Sequence, residues 1–293
     1  MKSNFSRMFF FTVCIIIFYT FLFAEEVEYQ YKETKELVYL VDDAVALIEE
    51  KGEDAFAELS VEDSKWRQGE KYIFIIDLEG MVYVQVKTSL IGKNLIDLTD
   101  VNGKPFIKWF ITEALTKDEC GWSHYLWNIP GQDVPTWKTT YVKLATAPSG
   151  NKYIAGCGLY NMKMEKAFAI AEVKQAAELI AAQGKEAFKT LKDPESEFVF
   201  RNNYIFVINE LGDVLVHPAS PELEGKNMCD FQDVKGIYLF RELIDVAKKE
   251  GSGWVDYWWP KPGEEEPSPK TSYAIQVMKE NEIFIVGTGI YLD

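Results

Sequence analysis

Histidine is scarce in this chain. Two occur in 293 residues, His124 and His217, and neither stands in the spacing of a zinc-binding helix motif or of a nucleophile signature. Metal-assisted and acyl-transfer chemistry therefore have no visible apparatus. No glycine-rich loop leads into a helix; Gly-x-Gly at 156–158 and 287–289 ends a strand, so it is a packing feature, and no cofactor is expected. Cysteine is equally sparse. Of the four, Cys14 lies in the N-terminal apolar run, and Cys120, Cys157 and Cys229 form an odd set without CxxC, against both a disulfide framework and a zinc site. A Cys120–Cys157 bridge and buried free thiols both remain open. Positive charge is short as well: 31 Lys and Arg face 46 Asp and Glu, for a net charge of −15, which disfavours nucleic acid as a partner. Acidity does not exclude a small anion, because a buried pocket answers to its local donors. Those carboxylates do not indicate an enzyme; Glu264-Glu265-Glu266, for instance, reads as a solvated turn in a Pro-rich loop.

Long apolar runs are missing too, with one exception. Met8 to Phe23 is almost wholly apolar, Lys2 and Arg7 precede it, and Leu22-Phe23-Ala24 supplies a cleavage site before Glu25. Residues 1–24 read as a secretory signal; its loss removes Lys2 and Arg7 and takes the charge from −15 to −17. An uncleaved anchor is the competing reading, since the run is long for a signal. No later stretch reaches ~18 apolar residues, so a periplasmic or secreted protein, or one tethered once, is expected.

What the chain does have is a duplication. Tyr72-Ile73-Phe74-Ile75-Ile76 returns as Tyr204-Ile205-Phe206-Val207-Ile208, Gly92-Lys93-Asn94 as Gly225-Lys226-Asn227, and Gly121-Trp122 as Gly253-Trp254. Lys138-Thr139-Thr140-Tyr141 returns as Lys270-Thr271-Ser272-Tyr273, and Gly156-Cys157-Gly158-Leu159-Tyr160 as Gly287-Thr288-Gly289-Ile290-Tyr291. The offset stays between 131 and 133, far longer than the unit of a stacked-repeat array. Two modules are expected, residues 25–163 and 164–293, each long enough to build its own core.

Within a module the pattern runs helix, hairpin, short helix, then three strands. Apolar residues at Leu37, Val38, Leu40, Val41, Ala44, Leu47 and Ile48 make a helical stripe across 34–59, and 165–191 repeat it. Strands are expected at 72–77 and 81–86, and again at 204–209 and 213–217, around Gly80 and Gly212. Short helices follow at 103–115 and 236–247, then strands near 122–127, 138–145 and 152–159, mirrored at 254–259, 270–277 and 283–290. This is an α+β module with one antiparallel sheet. No Pro/Gly/Ser linker separates the modules near 161–166, so the second long helix is expected to grow directly from the first module.

Val216-His217-Pro218, Gly225-Lys226-Asn227, the run from Gly253 to Gly263, Pro269 to Tyr273 and Val286 to Tyr291, following Tyr204 to Ile208, resemble the single-Cache class of extracytoplasmic sensor domain. The first module matches more loosely: Gln85 replaces the His, Trp127-Asn128-Ile129-Pro130 interrupts the Trp-Pro-Lys-Pro-Gly run, and Trp137 replaces the Pro before Lys138. The resemblance implies two tandem PAS-like modules, each a long N-terminal helix with an antiparallel sheet and a short helix, and a small-molecule pocket on one side of the sheet. It also implies a place in chemoreceptors or sensor kinases.

A carboxylate pocket needs a cation, a few neutral donors and an aromatic wall. His217, Trp254, Tyr257, Trp259, Lys270, Ser272 and Tyr273 could supply these in the second module, and Gln85, Trp122, Tyr125, Lys138 and Tyr141 in the first. Alternation puts Lys270 and Ser272 on one face and Thr271 and Tyr273 on the other, so some of the set must point away. Each has a plainer reading. Tyr and Trp on adjacent strands are commonly core, Asn94 and Asn227 bond turn backbone, and a Lys within a β-run is ordinary at a solvated edge. The leading expectation is a tandem sensor for a small carboxylate-like ligand, handing its signal to a membrane receptor or kinase partner, with a homodimer compatible with the long helices. A protein-interaction module with vestigial pockets and an anchored ectodomain are the alternatives; an enzyme ranks last.

Overall fold

In a computed structural model the described residues are 28–292, so the expected leader at 1–24 lies outside them. The first half carries α1 (Lys32–Lys51), α2 (Ala55–Leu59), β1 (Arg67–Gln68), β2 (Lys71–Asp77), β3 (Val82–Val84), α3 (Phe106–Ala114), β4 (Cys120–Asn128), β5 (Pro135–Thr146) and β6 (Lys152–Tyr160). The second carries α4 (Lys166–Gln183), α5 (Ala187–Lys192), β7 (Val199–Phe200), β8 (Asn203–Tyr204), β9 (Phe206–Asn209), β10 (Val214–Val216), α6 (Leu239–Glu250), β11 (Ser252–Pro260), β12 (Pro267–Lys279) and β13 (Glu282–Tyr291). The principal strands run β3-β2-β6-β5-β4 in one sheet and β10-β9-β13-β12-β11 in the other, all antiparallel. The duplication in sequence is thus a duplication of topology.

Each sheet has a helix on both faces because its strands are apolar on both faces. In the first half, Leu37, Val41, Ala44 and Ile48 of α1 pack on Ile73, Ile75, Ala155 and Cys157. The opposite face takes Phe106, Ile107 and Phe110 of α3 on Phe74, Ile76 and Ile154. In the second half α4 offers Val173, Ala176, Ala177 and Ile180 to Ile205, Val207 and Val286, while α6 covers Phe206, Ile208 and Ile285. The long helix and the short one are therefore on opposite sides, and the side chain that points toward the short helix is the one that matters for the pocket.

Two readings need correction. The long helical stripes at 34–59 and 165–191 are each broken: Gly52 and Gly184 adopt φ of +62° and +61°, a single 3₁₀ turn follows, and the chain resumes as α2 and α5. Apolar periodicity carried through the break because the short helix packs on the same core. Second, Lys138 and Lys270 are not at a solvated edge. Strand β5 lies between β4 and β6, β12 lies between β11 and β13, and both lysines are 1% exposed. Of the two readings left open for the cysteines, free thiols hold: Cys120, Cys157 and Cys229 are unbridged.

The halves touch closely. Five residues separate β6 from α4, and both carboxylate oxygens of Glu165, fully buried, accept the backbone N–H of Gln30 and Tyr31 at 2.7 and 2.9 Å where α1 begins. Lys104 is buried and donates its Nζ to the carbonyls of Pro194, Ser196 and Val199 at 3.0, 2.5 and 2.8 Å. His124 stacks on Phe200 with ring centroids 3.9 Å apart.

Candidate ligand pockets

Strand β12 delivers Lys270 to the α6 side of its sheet, and the side chain lies across Gly289 of the neighbouring strand. A Cβ at Gly289 would sit 2.2 Å from Lys270 Cε and 2.3 Å from Ser272 Oγ, so the second Gly of Gly-x-Gly is what lets the lysine cross. The first has a parallel duty, since a Cβ at Gly287 would meet the ring of Phe206 at 2.4 Å. Lys270 Nζ reaches the hydroxyl of Tyr204 at 3.1 Å and lies over the Tyr204 and Tyr291 rings, 4.4 and 4.7 Å from their centroids. Burial pushes its pKa down to about 7, with the carboxyl of Glu172 acting weakly the other way.

Beside this ammonium is a small hollow. Phe206, Ile208, Leu239 and Leu243 make its apolar part; Tyr204 and His217 bring polar atoms; Tyr257 and Trp259 form a wall. Lys270 stands just behind, reaching the hollow through the hydroxyl of Tyr204. His217 is 5% exposed, its ring 4.9 Å from Tyr204 and 5.8 Å from Trp259. Its backbone N–H donates to Glu224 Oε1 at 3.0 Å, but Nδ1 is buried without any partner. Burial, reinforced by the positive charge of Lys270, lowers the imidazole to about 3, so the ring is neutral at ordinary pH. Tyr257 is held from behind by a 2.7 Å bond between its hydroxyl and Ser272 Oγ.

The first half repeats the arrangement. Lys138 Nζ donates to Tyr72 OH at 2.8 Å and lies over the Tyr72 and Tyr160 rings at 4.0 and 5.0 Å; burial lowers its pKa. Tyr125 OH and Thr140 Oγ1 are 3.0 Å apart, the counterpart of the Tyr257–Ser272 pair. The hollow beside them includes Lys138 itself on its wall. Gln85 is there too, at the place of His217, with its Oε1 accepting the N–H of Val86 at 2.8 Å, which leaves the Nε2 amide as the group it can offer.

Among the sequence candidates, His217, Tyr257, Trp259, Lys270 and Ser272 converge in the second half, and Gln85, Tyr125 and Lys138 in the first. Trp254, Tyr273, Trp122 and Tyr141 do not. Trp254 packs on Tyr273 at 5.3 Å beneath Lys166 of α4, and Trp122 packs on Tyr141 at 5.0 Å and donates Nε1 to Tyr29 OH at 3.1 Å. These four belong to the long-helix side, because Val255, Tyr257 and Trp259 alternate with them across the sheet. Sequence reasoning missed Tyr204 and Tyr72, whose hydroxyls meet the lysines. Their signal was present as the polar first residue of the repeated Tyr-Ile-Phe run.

Two PAS-like halves, each with a buried lysine beside a small hollow, define a tandem sensor module. Residues 48–154 and 160–293 match the Cache-domain family dCache_2, and the chain belongs to that family. Over 146 residues it is 36% identical to the methyl-accepting chemotaxis protein McpP of Pseudomonas putida, covering 46% of this chain and 26% of that protein. Over 93 residues it is 36% identical to the sensor histidine kinase MctS of Rhizobium johnstonii, covering 32% of this chain and 20% of that protein. The matches thus span about a quarter or less of the curated relatives' length. Among solved structures, a periplasmic sensor domain of a chemotaxis protein is 30% identical, with 42% of this chain and 92% of that one covered and a TM-score of 0.37. A Cache chemosensory domain described for carboxylic acid recognition is 29% identical, with 43% and 91% covered and a TM-score of 0.38.

Proposed function

We propose that this protein is an extracytoplasmic sensor that captures a short carboxylate in the hollow of its second half and passes the event to a membrane-bound signalling partner. The observation that carries the reading is His217 Nδ1, buried and unpartnered, beside an ammonium whose sole protein hydrogen bond among the described residues is to Tyr204. An orphaned buried polar atom costs about 1–3 kcal/mol, and a buried cation without a counter-charge costs more. A carboxylate relieves both, accepting from Lys270 or Tyr204 and from the imidazole, while Leu239, Leu243 and Phe206 receive a short apolar tail. Apolar and aromatic side chains set this closely around the polar groups favour a guest of a few carbons.

Membership of a sensory family, not a catalytic one, agrees with this, as do relatives named as chemotaxis and sensor proteins. Among the described residues no helix is long and apolar enough to cross a membrane, so onward signalling is assigned to a partner or to a segment outside them. The test is a thermal-shift and calorimetric screen of the purified protein against acetate, propionate, pyruvate and lactate. At a hundred times Kd a ligand contributes about 2.7 kcal/mol to the folded state, a rise in Tm of several degrees. A flat response to every acid overturns the reading.

A further inference from the structure

Two carboxyls break the internal repeat where the halves meet. Glu113, near the end of α3, lies over the bare backbone of Gly121, where an added Cβ would collide with its carboxyl. Val246 of α6 has that place over Gly253 in the second half. Glu172 of α4 stands 132 residues after Leu40 of α1, the offset that also relates the helix ends Gly52 and Gly184. Both Leu40 and Glu172 are 8% exposed, so an acid fills an aliphatic place. The two exchanges share a location. Gln175, one turn beyond Glu172 on α4, donates its Nε2 to Glu113 Oε1 at 2.8 Å and so joins the short helix of the first half to the long helix of the second.

Among the described residues no ion pair includes either acid. Glu172 Oε2 accepts from Asn203 Nδ2 at 2.5 Å, but Oε1 is buried without a partner. Thr288, which also faces it, has given its hydroxyl hydrogen to the Tyr204 carbonyl at 2.8 Å. The charges nearby are few and mixed. Lys104 favours ionisation of Glu172, and the exposed Glu197 opposes that of both acids. Arg201 donates to the Met162 carbonyl at 2.8 Å, and His124, stacked on Phe200, is kept neutral by burial. A carboxyl oxygen with no donor in a dry junction favours the protonated acid. Burial accordingly raises Glu113 to about 7 and holds Glu172 well above an ordinary carboxyl.

We propose that the junction is a proton-operated latch: with Glu113 and Glu172 protonated the halves close on one another, and ionisation of the pair loosens them, so that the protein senses acidity as well as its ligand. The latch needs no ligand, so it stands or falls apart from the proposed function. Between an ordinary 4.5 and about 7 the unfolded chain has released the Glu113 proton while the folded chain retains it. This group therefore lowers stability as pH rises, by up to about tenfold in the folding constant per unit, and its contribution is level below 4.5 and above 7. Glu172 acts in the same sense from 4.5 upward. His124 and His217, buried and neutral, act oppositely below 6.5, so the signal lies in the difference between variant and parent.

Thermal melts of the ligand-free parent, of Glu113→Gln, of Glu172→Gln and of the protein carrying both substitutions are recorded between about pH 4.5 and 8, the range of the linkage. Amide exchange at Gln30 and Tyr31 is followed relative to the core strands, which divides out the intrinsic pH dependence of exchange. Each Gln copies the shape of the protonated acid. The variants are expected to melt with the parent at the acid end and several degrees above it at the alkaline end. The N–H groups of Gln30 and Tyr31 tie α1 to Glu165 across the junction, and their protection is expected to fall more steeply with pH in the parent than in the doubly substituted protein. Glu113→Val and Glu172→Leu import each residue's counterpart from the other half and are expected to give the same pattern where an amide disturbs the fold. Melting temperatures displaced equally at every pH overturn the latch. So does a difference that grows with pH while Gln30 and Tyr31 lose protection equally in parent and variant, because the acids would then be buried without controlling the junction.

Discussion

The Lys270 ammonium and the Tyr204 hydroxyl meet at 3.1 Å across 66 residues of chain, and Lys138 and Tyr72 meet at 2.8 Å across the same 66. A pairing reproduced so closely in both halves, with each lysine 1% exposed, makes the buried cation the organising charge of the site. Its cost is visible in its pKa. Burial depresses Lys270 to about 7 from an ordinary 10.5 in the unfolded chain.

The first prediction follows from that depression. Below pH 7 the lysine is protonated in both states and its desolvation weighs against folding in full. Between about 7 and 10.5 the unfolded chain binds the extra proton, so this group makes stability rise with pH; above 10.5 its contribution is level and no longer unfavourable. A bound carboxylate needs the charged form, so affinity falls as pH rises through about 7, by up to tenfold per unit, with proton uptake on binding. Calorimetry of propionate in buffers of different ionisation enthalpy reads the uptake directly. No proton uptake at pH 8 would remove Lys270 from ligand contact.

Gly289→Ala should disable the second site without replacing any ligand group. The new Cβ has to occupy space 2.2 Å from Lys270 Cε and 2.3 Å from Ser272 Oγ. The lysine is the flexible party and is expected to be driven off Tyr204, at a cost of about 1–3 kcal/mol in stability and with loss of propionate binding. Gly263→Ala serves as the comparison, because its φ of +80° brings strain with nothing within 4 Å to displace. Equal loss of binding in both variants would refute a special role for the crossing at Gly289.

Much of this architecture was legible in the sequence. The repeated words gave two modules, and alternation separated Lys270 and Ser272 from Thr271 and Tyr273. What alternation lacks is phase. Trp254 and Tyr257 are both aromatic and both on β11, and nothing in their spacing says which one meets the long helix. The answer comes from tertiary packing, where α4 claims Tyr273 and α6 claims Tyr257. The depth of the lysines was hidden for a related reason: a Lys in a strand is normal at an edge, and only the return of β13 alongside β12 makes that strand central. Tyr204 was overlooked because a phenol opening an apolar strand reads as core until its hydroxyl finds a partner.

The phase assignment yields a third prediction. Trp254→Phe and Trp122→Phe should lower stability by about 1–2 kcal/mol through lost packing on Tyr273 and Tyr141, and leave ligand affinity within twofold. Tyr257→Phe should do the opposite, sparing most of the packing while freeing the Ser272 hydroxyl and weakening propionate severalfold. Titration and thermal melts of the three variants check this together. Weaker binding in Trp254→Phe would put the ligand on the wrong side of the sheet.

Lys104 supplies the fourth. Its counterpart in the second half is Ile237, in a loop held the same way by a carboxylate: Asp100 Oδ1 accepts Lys104 N–H at 3.0 Å, and Asp233 Oδ1 accepts Ile237 N–H at 2.9 Å. The ammonium is thus an addition that serves the other half, where it meets three carbonyls between Pro194 and Val199. Asp100, Glu197, Asp193 and Glu195 lie around it and favour its charge, though burial outweighs them and lowers its pKa. Lys104→Met leaves three acceptors without their cation, at about 1–3 kcal/mol, concentrated at the junction and not within either core. Differential scanning calorimetry should therefore show one cooperative transition in the parent protein and two partly resolved transitions in the variant, with the sheet cores intact by circular dichroism. A single transition merely shifted downward would mean that Lys104 supports its own half and that the halves are joined by Glu165 and the His124–Phe200 stack instead.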